Sequence, residues 1–310
     1  MNNERPDYFF LNPSLTLGSL IADLPGSLAA IEVAGVARFG ATRGGGICFC
    51  DRAPAADLEE IAAGSIVLCP ESLADQIQQR FPSAICVRLN DPRGSFIDLG
   101  HKLLDQELVS VSDAIPRPFG IHPTADIGGG TTVHPETRID REVVVGANCV
   151  IHRGTWLQAG AVIRDNSVIG VAGINAYRGV DGRLRNFPHF ASAIIGENVE
   201  IGANAVVVRG IVNSTRIGAD SVIGNLCNVG HGVEIGPKVW MSVGCLIGGH
   251  SRIGAGATLG MGVAVKDNLD IGEGAQVGMA SAVVKAVAAG TSVFGNPARA
   301  MGPIVAGPER

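Results

Sequence analysis

Charge is scarce in this 310-residue chain, since Asp, Glu, Lys and Arg together make up only 17% of it, and aromatic residues make up 5%. With a net charge of -5 and no long basic stretch, the sequence carries no electrostatic footprint for nucleic acid. No apolar run approaches the roughly 20 residues that a bilayer-spanning helix needs. The opening MNNERPDYFF lacks the basic-then-apolar order of a signal peptide, so a cytoplasmic location is expected. C-x-x-C pairs are missing too, and the seven cysteines are an odd number scattered along the chain. Reduced thiols are expected rather than a disulfide framework, with Cys48 and Cys50 on a strand. What the chain has in abundance is glycine, 43 residues of it, alongside ample Val and Ile. That combination suggests a repeat.

The repeat has a period of six. Aliphatic residues stand in strict phase from Ile121 through Ile127, Val133, Ile139, Val145, Ile151, Leu157 and Ile163 to Ile169. The phase lapses at Asn175, resumes at Ile195, Ile201 and Val207, slips once more, and then runs unbroken from Ile217 to Val283. Glycine often follows the aliphatic residue. A helix of 3.6 residues per turn cannot generate this period, and a glycine in each sixth place would cost it about 1 kcal/mol. Short strands joined by tight corners can, with the aliphatic side chain turned inward and small residues at the bends. Three hexads then close a triangular coil, so each residue stacks on the one three hexads later. The 24 hexads give about eight coils, roughly 38 Å of prism at about 4.8 Å per coil. Periodicity leaves the hand of the coil open, although the usual crossover rule favours right.

Residues 1–118 do not follow this period. Helical spacing joins Leu17, Leu20, Ile21 and Leu24, then Leu73, Ile77 and Phe81, then Phe96, Leu99, Leu103 and Leu104. Between them SIVLC (65–69) and AICVRL (84–89) read as buried strands, and IEVAGVAR (31–38) alternates. A small α/β domain is expected over 1–118, with Pro116 and Pro118 at its boundary. The β-helix is expected over 119–300 with a loop insertion at 175–193, and a tail over 301–310.

One imidazole interrupts the aliphatic pattern. His231, in NLCNVGHGVEIG, takes the third place of its hexad, past the inward Val229 and beside the corner Gly230. A side chain there is expected near the surface, and an unperturbed pKa of about 6.5 lets it accept a proton at neutral pH. One coil on is Gly249. His250 lies one hexad place away from strict stacking on His231. The loop NAYRGVDGRLRNFPHFA is the other irregularity, and insertions in solenoids usually carry function. Its Tyr177, Arg178, Arg183, Arg185 and His189 would suit a nucleotide diphosphate or a carrier phosphate. Asn225 and Asn228 are further substrate-binding candidates.

These features resemble a known family. The hexads are similar to those of the left-handed β-helix hexapeptide-repeat acyltransferases, a resemblance that settles the expected hand. VAGVARFGATRGGGICF, IVLCPES, LNDPRGSF and the run VEIGANAVVVRGIVNSTRIGADSVIGNLCNVGHGVEIG resemble the lipid A family of UDP-3-O-acylglucosamine N-acyltransferases. The resemblance implies that His231 is the general base in a direct attack of a sugar amine on a thioester, without an acyl-enzyme. It implies that the backbone N–H of Gly249 holds the oxyanion, and that Phe49 lies against uracil. The family's second aromatic is missing from CDRAPA, and from the sequence itself Phe49 reads equally as core. A homotrimer is also implied, with flat sheet faces that are poor surfaces to leave exposed.

Two departures bear on the donor. The run after His231 ends about one coil early, and SVFGNPARAM resembles the ending of sugar acetyltransferases that use acetyl-coenzyme A. On that resemblance Gly295, Asn296, Pro297 and Arg299, with His250, bind the donor. The expected function is transfer of an acyl group, in first place acetyl, from a coenzyme A thioester to the amine of a nucleotide-linked amino sugar, with no bound cofactor. The alternatives are the lipid A reaction itself with an acyl carrier protein thioester, O-acetylation of a sugar hydroxyl, and a non-catalytic β-helix binding module. Zinc is not expected. His134 and His152 should stack, but His122 falls on another face of the coil and the close second ligand of zinc-binding β-helices is absent. The Gly-rich, basic signature of a fused nucleotidyltransferase is absent as well.

Overall fold

In the computed structural model of the protein, residues 7–41, 43–54 and 61–300 are described; the tail 301–310 expected from the sequence lies outside them. The described chain is mainly β, a left-handed parallel β-helix of hexapeptide repeats together with a small α/β region. It divides into two compact units.

The larger unit comprises Ile115–Gly173, Ser192–Gly210 and the chain from Ser214 onward. Its short strands form three sheets of ten, eight and eight strands, parallel except where Arg299–Ala300 pairs antiparallel with Ser292–Phe294. Register follows the three-hexad coil: Val229 pairs with Ile247, Ile247 with Val265, and Val265 with Val283. From Ile139 to Val283 the in-phase aliphatic residues are buried in one continuous core. The first members of the phase are not, and Ile121 is 48% exposed. Inner corners are stitched by small polar residues. The hydroxyls of Ser221 and Ser251 and the thiols of Cys227 and Cys245 donate to carbonyls on the next coil, which satisfies acceptors the core would otherwise strand. Left-handed corners fall on residues that tolerate them, such as Asn148, Asn166, Asn204 and Asn268.

The smaller unit comprises residues up to Ala114, Ile174–Ala191 and Ile211–Asn213. Its sheet runs in sequence order: β1 (Phe9–Thr16) is antiparallel to β2 (Glu32–Val36), and β3 (Gly46–Phe49), β4 (Ile66–Cys69) and β5 (Ile85–Arg88) continue in parallel. The helices are α1 (Leu17–Leu20), α2 (Gly26–Ala29), α3 (Glu71–Arg80) and α4 (Pro92–Asp105). The Leu17-to-Leu24 pattern yields only the single turn of α1. Asp23 takes a left-handed φ of 59°, and Leu24 precedes a proline, which disfavours further helix. The insertion forms a hairpin, Ala176–Arg178 against Leu184–Asn186, followed by Phe187 and Phe190 in the core shared with Phe9, Phe96 and Leu99. Its packing, which the sequence expectation assigned to the β-helix, is therefore with the α/β unit. No helix of the described residues is long and apolar enough to cross a membrane.

Candidate active site

His231 follows the strand Asn228–Val229, at the corner where the coil turns toward Glu234–Ile235. Register aligns it with Gly249 on the next coil. The half-buried imidazole lies directly over that glycine: a Cβ built at 249 would meet its Cε1 at 2.4 Å, Nε2 at 2.5 Å and Nδ1 at 2.9 Å. Gly249 does not have a left-handed φ, so the ring above it, rather than the turn, is what requires glycine there. Among the described residues the Gly249 N–H donates to no protein acceptor, while its carbonyl accepts from Asn268.

His250 completes the corner. It adopts a left-handed φ of 57°, an uncommon setting for a residue with a Cβ, and its N–H donates to the His231 carbonyl at 2.9 Å. The two rings meet edge to face with centroids 4.7 Å apart. Burial, and secondarily His250, pushes the His231 pKa down to about 4, with Asp267 acting in the opposite sense. His250 is also lowered by burial, against the pull of Asp267 and Glu234. Both imidazoles are thus held neutral at pH 7. Asp267 stands one coil beyond Gly249, so the row reads His231, Gly249, Asp267. The expectation from sequence stopped one coil above His231, and a second step of three hexads would have found this carboxylate.

Beside the row runs a groove of about 470 Å³, lined mainly by aliphatic side chains including Leu246, Ala264, Ala282 and Val284, with Asn228 at one end and Lys266 along it. Of the predicted donor residues other than His250, Gly295, Asn296 and Pro297 lie on the turn after Ser292–Phe294, and Arg299 begins the strand that follows. There the Gly295 N–H donates to the Ser281 hydroxyl at 3.0 Å, the Ala298 N–H donates to the Ala282 carbonyl at 2.8 Å, and Arg299 reaches the Ala298 carbonyl. Asn296 and Pro297 are on that turn, which adjoins the groove through Ala282. Asn225 belongs to the preceding corner. Its side-chain oxygen accepts the Ala203 N–H at 2.8 Å, so it stitches coils and is not brought to His231.

The remaining candidates gather in the α/β unit. Phe49 is half-buried, with its ring 5.0 Å from Phe96 and 6.0 Å from Phe187. The Arg93 guanidinium lies 5.6 Å from the Phe49 centroid and 5.3 Å from that of Tyr177, paired with Asp51 at 2.6 Å. Tyr177 donates its hydroxyl to Asp91 at 2.8 Å. The loop arginines are largely occupied: Arg185 bridges Asp98 and Asp181, Arg183 faces Asp181, and Arg178 donates to the Gly182 carbonyl. His189 is 3% exposed, with Nδ1 against the Phe187 carbonyl. In the larger unit His134 and His152 are neighbours on adjacent coils, while the His122 ring bonds the Thr124 hydroxyl.

No family model matches the chain. It is 40% identical over 98 residues to the UDP-3-O-acylglucosamine N-acyltransferase of Maricaulis maris (strain MCS10), covering 32% of this chain and 25% of that protein. It is 26% identical over 273 residues to the enzyme of the same name from Rhizobium johnstonii, covering 75% and 74%. It is a hexapeptide-repeat β-helix protein similar to the UDP-3-O-acylglucosamine N-acyltransferases. This chain thus spans a quarter of the length of the first of these relatives and about three-quarters of the second. Among solved structures, the UDP-N-acetylglucosamine acyltransferase of Campylobacter jejuni aligns over 59% of this chain and 74% of its own, at 21% identity and a TM-score of 0.40.

The corner's electrostatics can be measured directly. In an NMR titration the His231 ring is expected to change protonation near pH 4 and to stay neutral from pH 6 upward. Asp267→Asn should lower its pKa further, because the one influence raising it is removed, and His250→Gln should raise it. A ring titrating near the ordinary value of about 6.5 in the wild type contradicts the burial described.

Proposed function

We propose that the protein is an N-acyltransferase that moves an acyl group from a thioester to the amine of a UDP-linked glucosamine derivative. The observation that carries this is the contact between a neutral imidazole and a glycine whose amide N–H is unspent, on successive coils beside an aliphatic groove. The imidazole takes the amine proton as the nitrogen attacks the thioester carbonyl. The Gly249 N–H receives the carbonyl oxygen as it becomes an oxyanion, and collapse of the adduct expels the thiolate. A single donor of this kind contributes about 2.7 to 4 kcal/mol to the transition state. No acyl-enzyme is required.

In place of the expected acetyl group we propose a longer acyl group. The support for this is the lining of the groove beside His231, mainly aliphatic side chains suited to an alkyl chain. Whether a coenzyme A or a carrier-protein thioester delivers it is read out in the same assay. We also propose a homotrimer, because Trp240 (58% exposed), Met261 (53%) and Met279 (58%) present apolar side chains on the outside of the coils.

Thiol release from acyl-coenzyme A or acyl carrier protein, with UDP-linked glucosamine derivatives as acceptors, tests the reading. His231→Ala should lower turnover by about 10² to 10⁴, and Gly249→Ala by at least about 10² because its methyl group displaces the ring. Full activity in His231→Ala would remove the mechanism. Arg93→Ala, by vacating the space against Phe49 and Tyr177, should tighten binding of uridine nucleotides in calorimetry; weaker binding would mean that Arg93 itself contacts the ligand. Light scattering should give three times the 31.9 kDa chain mass, and a monomer would contradict the proposed assembly.

A further inference from the structure

Arg209 is a mostly buried arginine of the β-helix that the proposed chemistry leaves unused. It follows Val207, which pairs with Val229, so it leaves the backbone on the coil immediately before His231. Its side chain turns back toward still earlier coils, where Nε donates to the Gly170 carbonyl at 2.8 Å. Most of the side chain is buried. Burial, and secondarily the Arg153 guanidinium, pulls its pKa down to about 10, and among the described residues no carboxylate acts on it in return. Arg153 is itself paired with Glu136 at 2.5 Å. His152 lies in the same neighbourhood, held neutral by burial and by the charge of Arg209. A guanidinium taken out of water without a counter-charge is expensive, and it is retained where an anion completes it.

We propose that Arg209, with His152 beside it, is the subsite for the diphosphate of the sugar nucleotide. The assignment rests on the amine-acylation reading above. Position decides between the two co-substrates. The aliphatic groove runs from Asn228 toward Ala282, on the coils after His231, whereas Arg209 and His152 lie on the coils before it. The thioester and the sugar nucleotide therefore approach the imidazole from opposite directions along the corner. At about 4.8 Å per coil, a guanidinium held at Gly170, two coils before His231, stands roughly 10 Å or more from the base. That separation is spanned by a sugar ring together with the diphosphate on its anomeric oxygen. The planar fork of Arg also matches phosphate oxygens two at a time.

The test uses the intact protein with inorganic pyrophosphate as probe. Calorimetry should register binding that Arg209→Gln abolishes and Arg209→Lys weakens, with thermal unfolding of both variants close to wild type. Pyrophosphate should also shift the His152 ring resonances, identified by their loss in His152→Gln, and Arg209→Gln should remove that shift. In the acylation assay Arg209→Gln should raise KM for the sugar nucleotide at least tenfold, with KM for the thioester unchanged and kcat within about threefold. Pyrophosphate should compete with the sugar nucleotide and not with the thioester. Undiminished pyrophosphate binding in Arg209→Gln overturns the assignment, as does a rise confined to the thioester KM or a lowered melting temperature with both KM values unchanged. If no acceptor is acylated at all, the proposed reaction fails, while the pyrophosphate and His152 measurements still decide the anion subsite.

Discussion

The β-helix depends on one repeated hydrogen bond, from a strand-end N–H to a carbonyl on the next coil, as in Gly230 to Ile247 at 2.9 Å and Gly248 to Val265 at 2.9 Å. It fixes the vertical spacing and the register together, so a residue's chemistry is set by its hexad place and by what stands three hexads away. His231 meets Gly249 for this reason, and Asp267 comes next for the same reason. Few folds let the geometry of a site be counted from the chain in this way. A one-residue slip would turn the buried Val229 outward and carry the imidazole off its glycine.

The places where this register breaks are equally informative. The step between stacked partners, three hexads elsewhere, roughly doubles from Ile169 to Val207 and is lengthened again, by less, from Val207 to Val229. Both excess segments leave the β-helix at the corner that His231 occupies, Ile174–Ala191 two coils earlier and Ile211–Asn213 one coil earlier, and both group with the α/β unit. The corner residues before His231 are thus exempt from the regular pattern, which is where a buried arginine and a bulged strand find room. The coils after it are regular and aliphatic and leave a smooth groove.

How much of this was legible depended on whether the signal was periodic. The coil, its inward residues and the pairing of His231 with Gly249 follow from counting in sixes. The α/β strands at 66–69 and 85–88 were legible as apolar runs. β1 was not, because Pro13 and a register shift between Phe10 and Leu15 spoil its alternation. Nor was the packing of the 174–191 segment, since its burial comes from Phe187 and Phe190 meeting residues far earlier in the chain. The loop arginines read as free cations in sequence, and their acids, Asp98 and Asp181, become partners only in the fold. Asn225 looked like a ligand beside His231 because sequence distance hides the corner between them.

A depressed imidazole pKa looks ill suited to a base, because a conjugate acid of about 4 holds a proton weakly. In the proposed reaction that weakness is useful. The amine becomes strongly acidic only as its nitrogen bonds to the thioester carbon, so a neutral ring in place matters more than high basicity beforehand. Once protonated, the imidazolium is a stronger acid than an ordinary one by the same margin. The departing thiolate, whose conjugate acid has a pKa of about 8.5, takes that proton readily. Burial against Gly249 and His250 therefore tilts the group toward releasing the proton, and the ring returns neutral for the next acceptor. A more exposed histidine would spend part of its time protonated at pH 7 and would hand the proton on less readily.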